Sequence, residues 1–374
     1  MILRTAEKEG LDDSTMYRSV ITDRKPVILY RDISVIQQLL WRLSNTLLRE
    51  VSAEGVNKMA FPRELKIMDV GCAGGELVCN LLESLKYSFY NPSVTLIDPN
   101  SESLSLASQR LRKVRVETHT YCTKTEDLEL DEKFDLIMCT RAVHHLREPQ
   151  QVIERLYYLL KPRGVMYVSD LIRPDTEQDL EKRLKRRLKI LNHPSTQSLA
   201  EQSLRASYTL LEIQAMLSII PGSLRRSEDW FERWEFISSP NNTLFICENN
   251  VGRSQMAQAF FNQFYPSAFG FSSGVNTTYT SQPLLTCGKN IVEIMNEEGI
   301  DLSLDLPRMI SPEIVKRAKG IVSFIPEKLL PDYCLQIPHR TISIDDPKGI
   351  EKEKQRIIRD QIKKIIEKLD FTSS

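Results

Sequence analysis

The chain has no excess of charge: 50 Lys and Arg are matched by 50 Asp and Glu in 374 residues. That balance removes any global pull toward nucleic acid or an anionic membrane surface, and neither partner is expected. Long apolar runs are missing too, and the opening residues MILRTAEKE contain no apolar signal core. A membrane span and a secretory leader are therefore not expected, which leaves a cytoplasmic location. The seven cysteines are odd in number and include no C-x-x-C pair, which argues against a disulfide framework and a zinc site, so no metal is expected. Repeats of fixed period and low-complexity blocks are also lacking, excluding a solenoid or a disordered array.

What remains is an ordinary globular composition, 41% hydrophobic and 27% charged, with length for two or three domains. Ile33, Ile36, Leu39, Leu40, Leu43, Leu47 and Leu48 recur at helical spacing over 32–51, with Asp32 placed to cap the start. From Leu65 onward, apolar runs at Leu65–Val70, Val94–Ile97, Phe134–Cys139 and Val165–Ser169 alternate with helical segments. This alternation predicts a parallel sheet with helices on both faces. A charged helical tract between Asp175 and Leu217 is too long for a simple connection; it either caps a substrate pocket or is a solvated helix pair. The polar run Ser238-Ser239-Pro240-Asn241-Asn242 marks a boundary. The division expected is a helical lead-in over 1–60, a first α/β domain over 61–238, a linker at 239–242 and a smaller α/β domain over 243–374. In the last, helices are expected from Ser254, over Leu285–Glu298 and over Glu351–Leu369, with a strand at Ile321–Phe324.

The first domain opens on Ile67-Met68-Asp69-Val70-Gly71-Cys72-Ala73-Gly74-Gly75-Glu76, a strand, a small-residue turn and a helix start. Such a turn lets backbone approach a nucleotide closely. The next strand ends at Asp98, placed to accept hydrogen bonds from ribose hydroxyls. A dehydrogenase is the competing reading of these features, although the glycine spacing lacks the full dinucleotide fingerprint. Phe134–Cys139 follows, then Arg141-Ala142-Val143-His144-His145-Leu146 and Leu159-Leu160-Lys161-Pro162-Arg163-Gly164-Val165. Taken in this order, the segment from Leu65 to Ser238 resembles the class I S-adenosylmethionine-dependent methyltransferases, with Ala73 where a glycine is common. The resemblance implies a Rossmann-like fold and S-adenosyl-L-methionine as cofactor, with the lead-in helix covering it. It further implies that Asp69, Gly71, Ala73 and Gly75 line the methionine side, Asp98 holds the ribose, and Thr125, Glu126 and Asp127 lie near the adenine. Methyl transfer is an in-line displacement that alignment and exclusion of water can drive. His144 or His145 can take a proton from a small-molecule acceptor, or both pack beneath the loop.

The second domain begins Thr243-Leu244-Phe245-Ile246-Cys247-Glu248-Asn249-Asn250-Val251-Gly252-Arg253-Ser254. A thiol at a strand end, wrapped by a loop and backed by a helix N-terminus, stands in a field that favours its thiolate. The loop Glu248-Asn249-Asn250-Val251-Gly252 cradles a tetrahedral oxyanion, Arg253 clamps two of its oxygens, and Ser254 hydrogen-bonds the sulfur. Asn250 tolerates a left-handed backbone there. From Asn242 to Leu369 the chain resembles the superfamily of low-molecular-weight tyrosine phosphatases and thioredoxin-type arsenate reductases. The continuations Ser254-Gln255-Met256-Ala257, Phe271-Ser272-Ser273-Gly274 and Asn296-Glu297-Glu298-Gly299-Ile300-Asp301 are closer to the reductases. Ile344-Asp345-Asp346-Pro347 matches the family's acid loop, implying Asp346, with Asp345 as understudy, as general acid. One departure stands out: the reductases carry a second cysteine at the end of the strand matching Gly320–Phe324, and this chain does not. Cys287 and Cys334 are then improvised partners, or an external thiol of thioredoxin or glutaredoxin type resolves Cys247.

Together these features predict a bifunctional enzyme, a methyltransferase joined to a Cys-dependent oxyanion enzyme that is arsenate reductase-like before phosphatase. Arsenate, phosphate or a phosphomonoester is the ligand implied for the second domain. Two alternatives stand beside it: a phosphomonoester or tyrosine phosphatase, and a non-catalytic phosphate-sensing module that regulates the methyltransferase. Arsenite as the methyl acceptor would call for convergent thiolates, whereas Cys72, Cys79, Cys122 and Cys139 are spread over the first domain.

Overall fold

In a computed structural model the residues described are 32–40, 63–84, 90–189, 194–226, 232–265 and 268–369. They group into two compact units, one drawn from Met1–Leu210 with Trp230–Arg233 and the other from Leu211–Asp229 with Trp234–Ser374. Of the helix expected over 32–51, residues 32–40 are helical; the rest of it, and most of the expected lead-in, lie outside the described residues.

The first unit is built on β1 (Arg63–Val70), β2 (Tyr90–Ile97), β3 (Glu117–Tyr121), β4 (Phe134–Thr140) and β5 (Leu160–Leu171). These five strands of its sheet are parallel and run in the order β3-β2-β1-β4-β5. Ile67, Met68, Val94, Leu96, Leu136, Ile137, Val165 and Val168 have no exposed surface, as expected of strands covered on both faces. β3 has the sequence ETHTY and a largely open surface; its polarity hid it from a search for apolar runs, although Thr and Tyr suit an edge strand. Helices Glu76–Ser84, Ser101–Val114 and Pro149–Tyr158 connect the strands. The second of them is capped by Asn100, whose side chain accepts from the Ser103 N–H at 2.9 Å. The charged tract forms three helices, Glu177–Leu188 and Pro194–Ala206 in this unit and Leu210–Leu217, whose residues from Leu211 belong to the second. It is more than a solvated pair, because Leu180, Leu184 and Leu204 bury themselves against Leu171. Asp32, expected as a helix cap, turns its carboxylate to Tyr167 Oη at 2.6 Å and Arg233 Nη1 at 2.7 Å.

In the second unit, β6 (Ser223–Arg226) and β7 (Arg233–Ser238) pair antiparallel. A four-stranded parallel sheet follows, in the order β11-β10-β8-β9, from β8 (Asn242–Cys247), β9 (Phe269–Gly274), β10 (Gly320–Ser323) and β11 (His339–Thr341). Helices Arg253–Phe264 and Lys352–Glu367 pack with this sheet around a core including Phe245, Phe260, Phe261, Ile294 and Ile362. The single helix expected over Leu285–Glu298 is two, Leu284–Cys287 and Lys289–Asn296. Gly288 breaks it with a non-helical φ of −140°, where a Cβ would stand 2.6 Å from Val251 Cγ1. The architecture is thus the α/β pairing of a larger and a smaller parallel sheet expected from the strand and helix alternation.

Candidate active sites

In the second unit Cys247 ends β8 and Arg253 begins the following helix, so one turn of loop holds everything between them. Cys247 is 3% exposed. Its Sγ lies 3.0 Å from Ser254 Oγ and receives the Asn250 backbone N–H at 3.3 Å. Asn250 itself is fully buried and left-handed, at φ 55°. Its Nδ2 donates to Ser254 Oγ at 2.9 Å, while its Oδ1 accepts from the Arg308 N–H at 2.7 Å. Asn250 therefore ties the loop to the segment that carries Arg308, after the helix Lys289–Asn296, and orients the hydroxyl that faces the sulfur. Sequence reading missed both Arg308 and the role of Gly274, which pairs in register with Cys247. A Cβ at Gly274 would stand 2.7 Å from the Glu248 carbonyl and 2.9 Å from Asn250 N, so only glycine lets the loop curl this tightly.

Arg253 is held by two carbonyls, Phe324 O at 2.9 Å and Ile344 O at 3.1 Å, and its Nη2 meets Asp346 Oδ2 at 2.7 Å. Cys247, Asn249, Val251, Gly252, Arg253 and Asp346 share a cavity of about 290 Å³. Pro347 packs over Gly252, whose position would bring a Cβ within 2.7 Å of Pro347 Cγ. Asp345 is exposed and does not line this cavity, and Glu248 is exposed, contributing its carbonyl to the Asn276 N–H at 2.9 Å. Tyr279, Lys289 and Lys348 also line the cavity, and none of the three was singled out from the sequence. Cys287 lines it as well, half-buried, with burial pushing its thiol up to about 11. Cys334 has no exposed surface and is not among the lining residues.

In the first unit the turn after β1 carries the glycine loop. Gly71 is left-handed at φ 67°, and a Cβ there would stand 2.4 Å from Ala142 Cβ. The N–H groups of Gly71 and Cys72 donate to Ile97 O at 2.8 and 3.2 Å, joining the loop to the end of β2. Ala73 is left-handed too, at φ 45°, a conformation that strains any residue with a Cβ. Asp98 is buried; its two oxygens accept from Ala73 N and Asn100 N, each at 2.9 Å. It thereby organises the loop from the end of the neighbouring strand. Asp69 is 2% exposed, and burial, reinforced by the nearby Asp98 and Glu76 carboxylates, pushes its carboxyl up to about 8. Gly75 leads into the helix that Glu76 opens, and Glu76 pairs with Arg110. Thr125, Glu126 and Asp127 form a short 3-10 turn after β3, with Thr125 buried and Glu126 accepting from the Arg147 N–H at 2.7 Å.

His144 follows β4 and is buried, with its Nδ1 2.8 Å from Asp170 Oδ1 at the end of β5. The His144 backbone N–H donates to the other oxygen at 2.9 Å. Burial alone would push the Asp170 carboxyl up, but the adjacent His144 ring and the N–H groups of His144 and Leu171 outweigh it and hold it below the usual carboxylate range. Asp170 was not foreseen, because nothing local in the sequence links it to His144. His145 is half-buried and lies against His144 with ring centroids 4.1 Å apart and the planes tilted by 39°. The cysteines form no cluster: burial pushes the Cys72 and Cys139 thiols far up, and Cys122 is exposed. Among the described residues no group of His, Cys, Asp and Glu is placed to hold a metal ion, and no helix is long and apolar enough to cross a membrane.

Comparison with known proteins finds a matching family model within each unit. A methyltransferase-domain family model matches residues 68–166, and the low molecular weight phosphotyrosine protein phosphatase model matches 242–372. Among curated proteins the chain is similar to the ubiquinone biosynthesis O-methyltransferase of Haemophilus ducreyi, 34% identical over 114 residues, covering 29% of this chain and 46% of that protein. Its counterpart from Nitrobacter winogradskyi is 29% identical over 109 residues, covering 29% of this chain and 40% of that protein. The chain thus spans less than half the length of these relatives. Among solved structures, the plantazolicin methyltransferase BpumL, in complex with a pentazolic desmethylPZN analog and SAH, is 15% identical with a TM-score of 0.43, covering 62% of this chain and 92% of that one. The plantazolicin methyltransferase BamL is 18% identical with a TM-score of 0.40, covering 58% and 71%. Neither structural likeness bears on substrate.

Proposed function

We propose, from the premise that this chain joins a methyltransferase domain to a low molecular weight phosphotyrosine protein phosphatase family domain, that it is a bifunctional enzyme. Its first unit transfers a methyl group from S-adenosyl-L-methionine to a hydroxyl of a small acceptor. Its second cleaves a phosphomonoester through Cys247. The observation that carries the second activity is the shell around Cys247 Sγ: Ser254 Oγ and the Asn250 N–H both face the sulfur, with Arg253 beside it and Asp346 on the same cavity wall. The sulfur attacks phosphorus, and the P–O bond to the alcohol breaks in line. Asp346 gives its proton to the departing oxygen while Arg253 turns its fork to the phosphoryl oxygens. Water, deprotonated by Asp346, then displaces the sulfur, and Ser254 and Asn250 stabilise the thiolate that leaves. A cavity of about 290 Å³ suits an esterified substrate, since a bare tetrahedral oxyanion displaces only a few waters of roughly 30 Å³ each.

In the first unit the donor's ribose and methionine portions lie along Asp98 and the Asp69–Gly75 turn, with Thr125–Asp127 near the adenine. Ligands of open parallel sheets bind outside the carboxyl ends of the strands where the order reverses, here between β1 and β4. S-adenosyl-L-methionine supplies an electrophilic methyl group; His144, oriented by Asp170, accepts the proton of the attacking hydroxyl. The O-methyltransferase names of the relatives favour an oxygen acceptor.

Arsenate reduction is the second reading for the C-terminal unit, favoured by Cys287 lining the same cavity as Cys247. One set of assays separates these readings: turnover of an aryl phosphate, and arsenate-dependent oxidation of reduced thioredoxin or glutaredoxin, each with native protein and Cys247→Ser. Aryl phosphate cleavage abolished by the substitution supports the phosphatase. Arsenate-dependent thiol oxidation without phosphate cleavage replaces it with the reductase. Binding of phosphate with neither turnover makes the unit a sensor and sinks both. The methyltransferase reading fails if calorimetry detects no binding of S-adenosyl-L-methionine.

A further inference from the structure

The first unit holds a cation that none of this chemistry uses. Arg141 follows β4 and directly precedes Ala142, the residue a side chain at Gly71 would strike, so it stands across the switch-point crevice from the glycine loop. Its backbone is left-handed at φ 55° and is pinned by its N–H donating to Ser169 O at 2.7 Å. Strain of this kind in a residue with a long side chain concentrates at binding sites. Asp32, Asp170, Glu76 and Arg233 lie near enough for their charges to act on Arg141. Each of the three carboxylates already has its own partner: Arg233 for Asp32, His144 for Asp170 and Arg110 for Glu76. No hydrogen bond or ion pair joins the Arg141 guanidinium to another described residue, and the side chain is exposed. Burial is the largest influence on this guanidinium and holds its pKa below the ordinary value, while the residue keeps an exposed surface; a cation packed among charges and joined to none of them has its planar set of donors left for a ligand.

We propose that Arg141 anchors a carboxylate of the methyl acceptor, so that the first unit acts on an organic acid carrying a hydroxyl. This rests on the reading of that unit as a donor-dependent methyltransferase. The fork of Arg141 fits a carboxylate through two parallel hydrogen bonds. A phosphate dianion fits worse, because Arg141 offsets one charge and leaves the other near Asp32, Asp170 and Glu76. The anchor lies three residues from His144, so it aligns the acceptor beside the base.

The donor also has a carboxylate, so the test separates the two sources. Native full-length protein, Arg141→Gln and Arg141→Lys are titrated calorimetrically with S-adenosylhomocysteine and with 5′-methylthioadenosine, which lacks the amino-acid carboxylate. Benzoate and its uncharged counterpart benzamide are then titrated into each S-adenosylhomocysteine complex by ligand-observed NMR. The expected result is donor-product affinity unchanged to about twofold in all three proteins, and benzoate binding weakened roughly tenfold to a hundredfold in Arg141→Gln. Arg141→Lys should fall between, and benzamide should not distinguish the proteins. Equal benzoate affinity in native and Gln forms, or no benzoate binding to the native complex, overturns the proposal. So does a loss of S-adenosylhomocysteine affinity in Arg141→Gln with methylthioadenosine unaffected, which would assign the anchor to the donor. Native protein that binds neither nucleoside fails at the earlier step, the methyltransferase reading itself.

Discussion

Asn250 concentrates three demands in one buried residue, and substitutions there separate them. Asn250→Gly removes the acceptor for the Arg308 N–H and the donor to Ser254 Oγ, while relieving the left-handed backbone. A buried N–H left without a partner costs about 1–3 kcal/mol and the second lost hydrogen bond about 1, so the glycine variant should lose about 2–4 kcal/mol. Asn250→Ala loses the same bonds but keeps a Cβ at φ 55°, which relative to the glycine form is a further penalty of about 1 kcal/mol once the entropy of glycine in the unfolded chain is allowed for. For a domain of this size, 1 kcal/mol moves the thermal midpoint by about 2–4 °C, so the glycine form should melt about 5–15 °C below native and the alanine form lower still. Asn250→Asp keeps the acceptor for Arg308 and should melt nearer native, but it sets a carboxylate against Ser254 beside the anion cradle. At an effective dielectric near 20, a like charge about 6 Å away is worth about 3 kcal/mol, or roughly a hundredfold in kcat/KM. Thermal inactivation of aryl phosphate turnover follows this unit alone, and steady-state kinetics at 25 °C gives the second readout. Glycine and alanine forms that melt together with native protein would refute the structural role assigned to Asn250. An aspartate form as active as native would refute the electrostatic one.

Asp346→Asn should lower kcat by about 10²–10⁴ for alkyl phosphates, whose leaving group needs a proton, and much less for p-nitrophenyl phosphate; equal losses on both would mean that Asp346 acts only by holding Arg253. Ala73→Gly should raise the midpoint of the first unit by relieving φ 45°, a gain of about 0.5–1 kcal/mol; a lowered midpoint in calorimetry would argue that the Ala73 methyl is needed for packing. Asp69, raised to about 8 by burial, binds its proton more tightly folded than unfolded. Its contribution therefore favours the fold at low pH and is lost as pH rises toward 8. A sulfonium and an ammonium beside it reverse the preference, so binding of S-adenosyl-L-methionine should release a proton and tighten as pH rises from 6 to about 8, with Asp69→Asn abolishing the trend. Calorimetry in buffers of different ionisation enthalpy counts that proton, and no release in the native protein would contradict the assignment.

The amino-acid sequence by itself determined whatever is local. The glycine turn, its strand and Asp98 could be read because one strand-helix-strand unit keeps them in fixed spacing, and the loop from Cys247 to Ser254 closes within eight residues. Burial on both faces of a parallel sheet demands continuous apolar strands, so four strands of the first unit were visible; β3, an edge strand with polar residues, was not. Tertiary structure decided what depends on distant chain segments meeting. It brought Asp170 to His144 from the next strand, Arg308 to Asn250, and Asp346 rather than Asp345 to the cavity beside Arg253. It also placed Cys287 rather than Cys334 in that cavity and divided the expected helix at Gly288. The physical reason is the same in each case: hydrogen bonding and packing across a sheet are set by register and by which strands lie side by side. Strand order and crossovers set that proximity, and no window of sequence contains it.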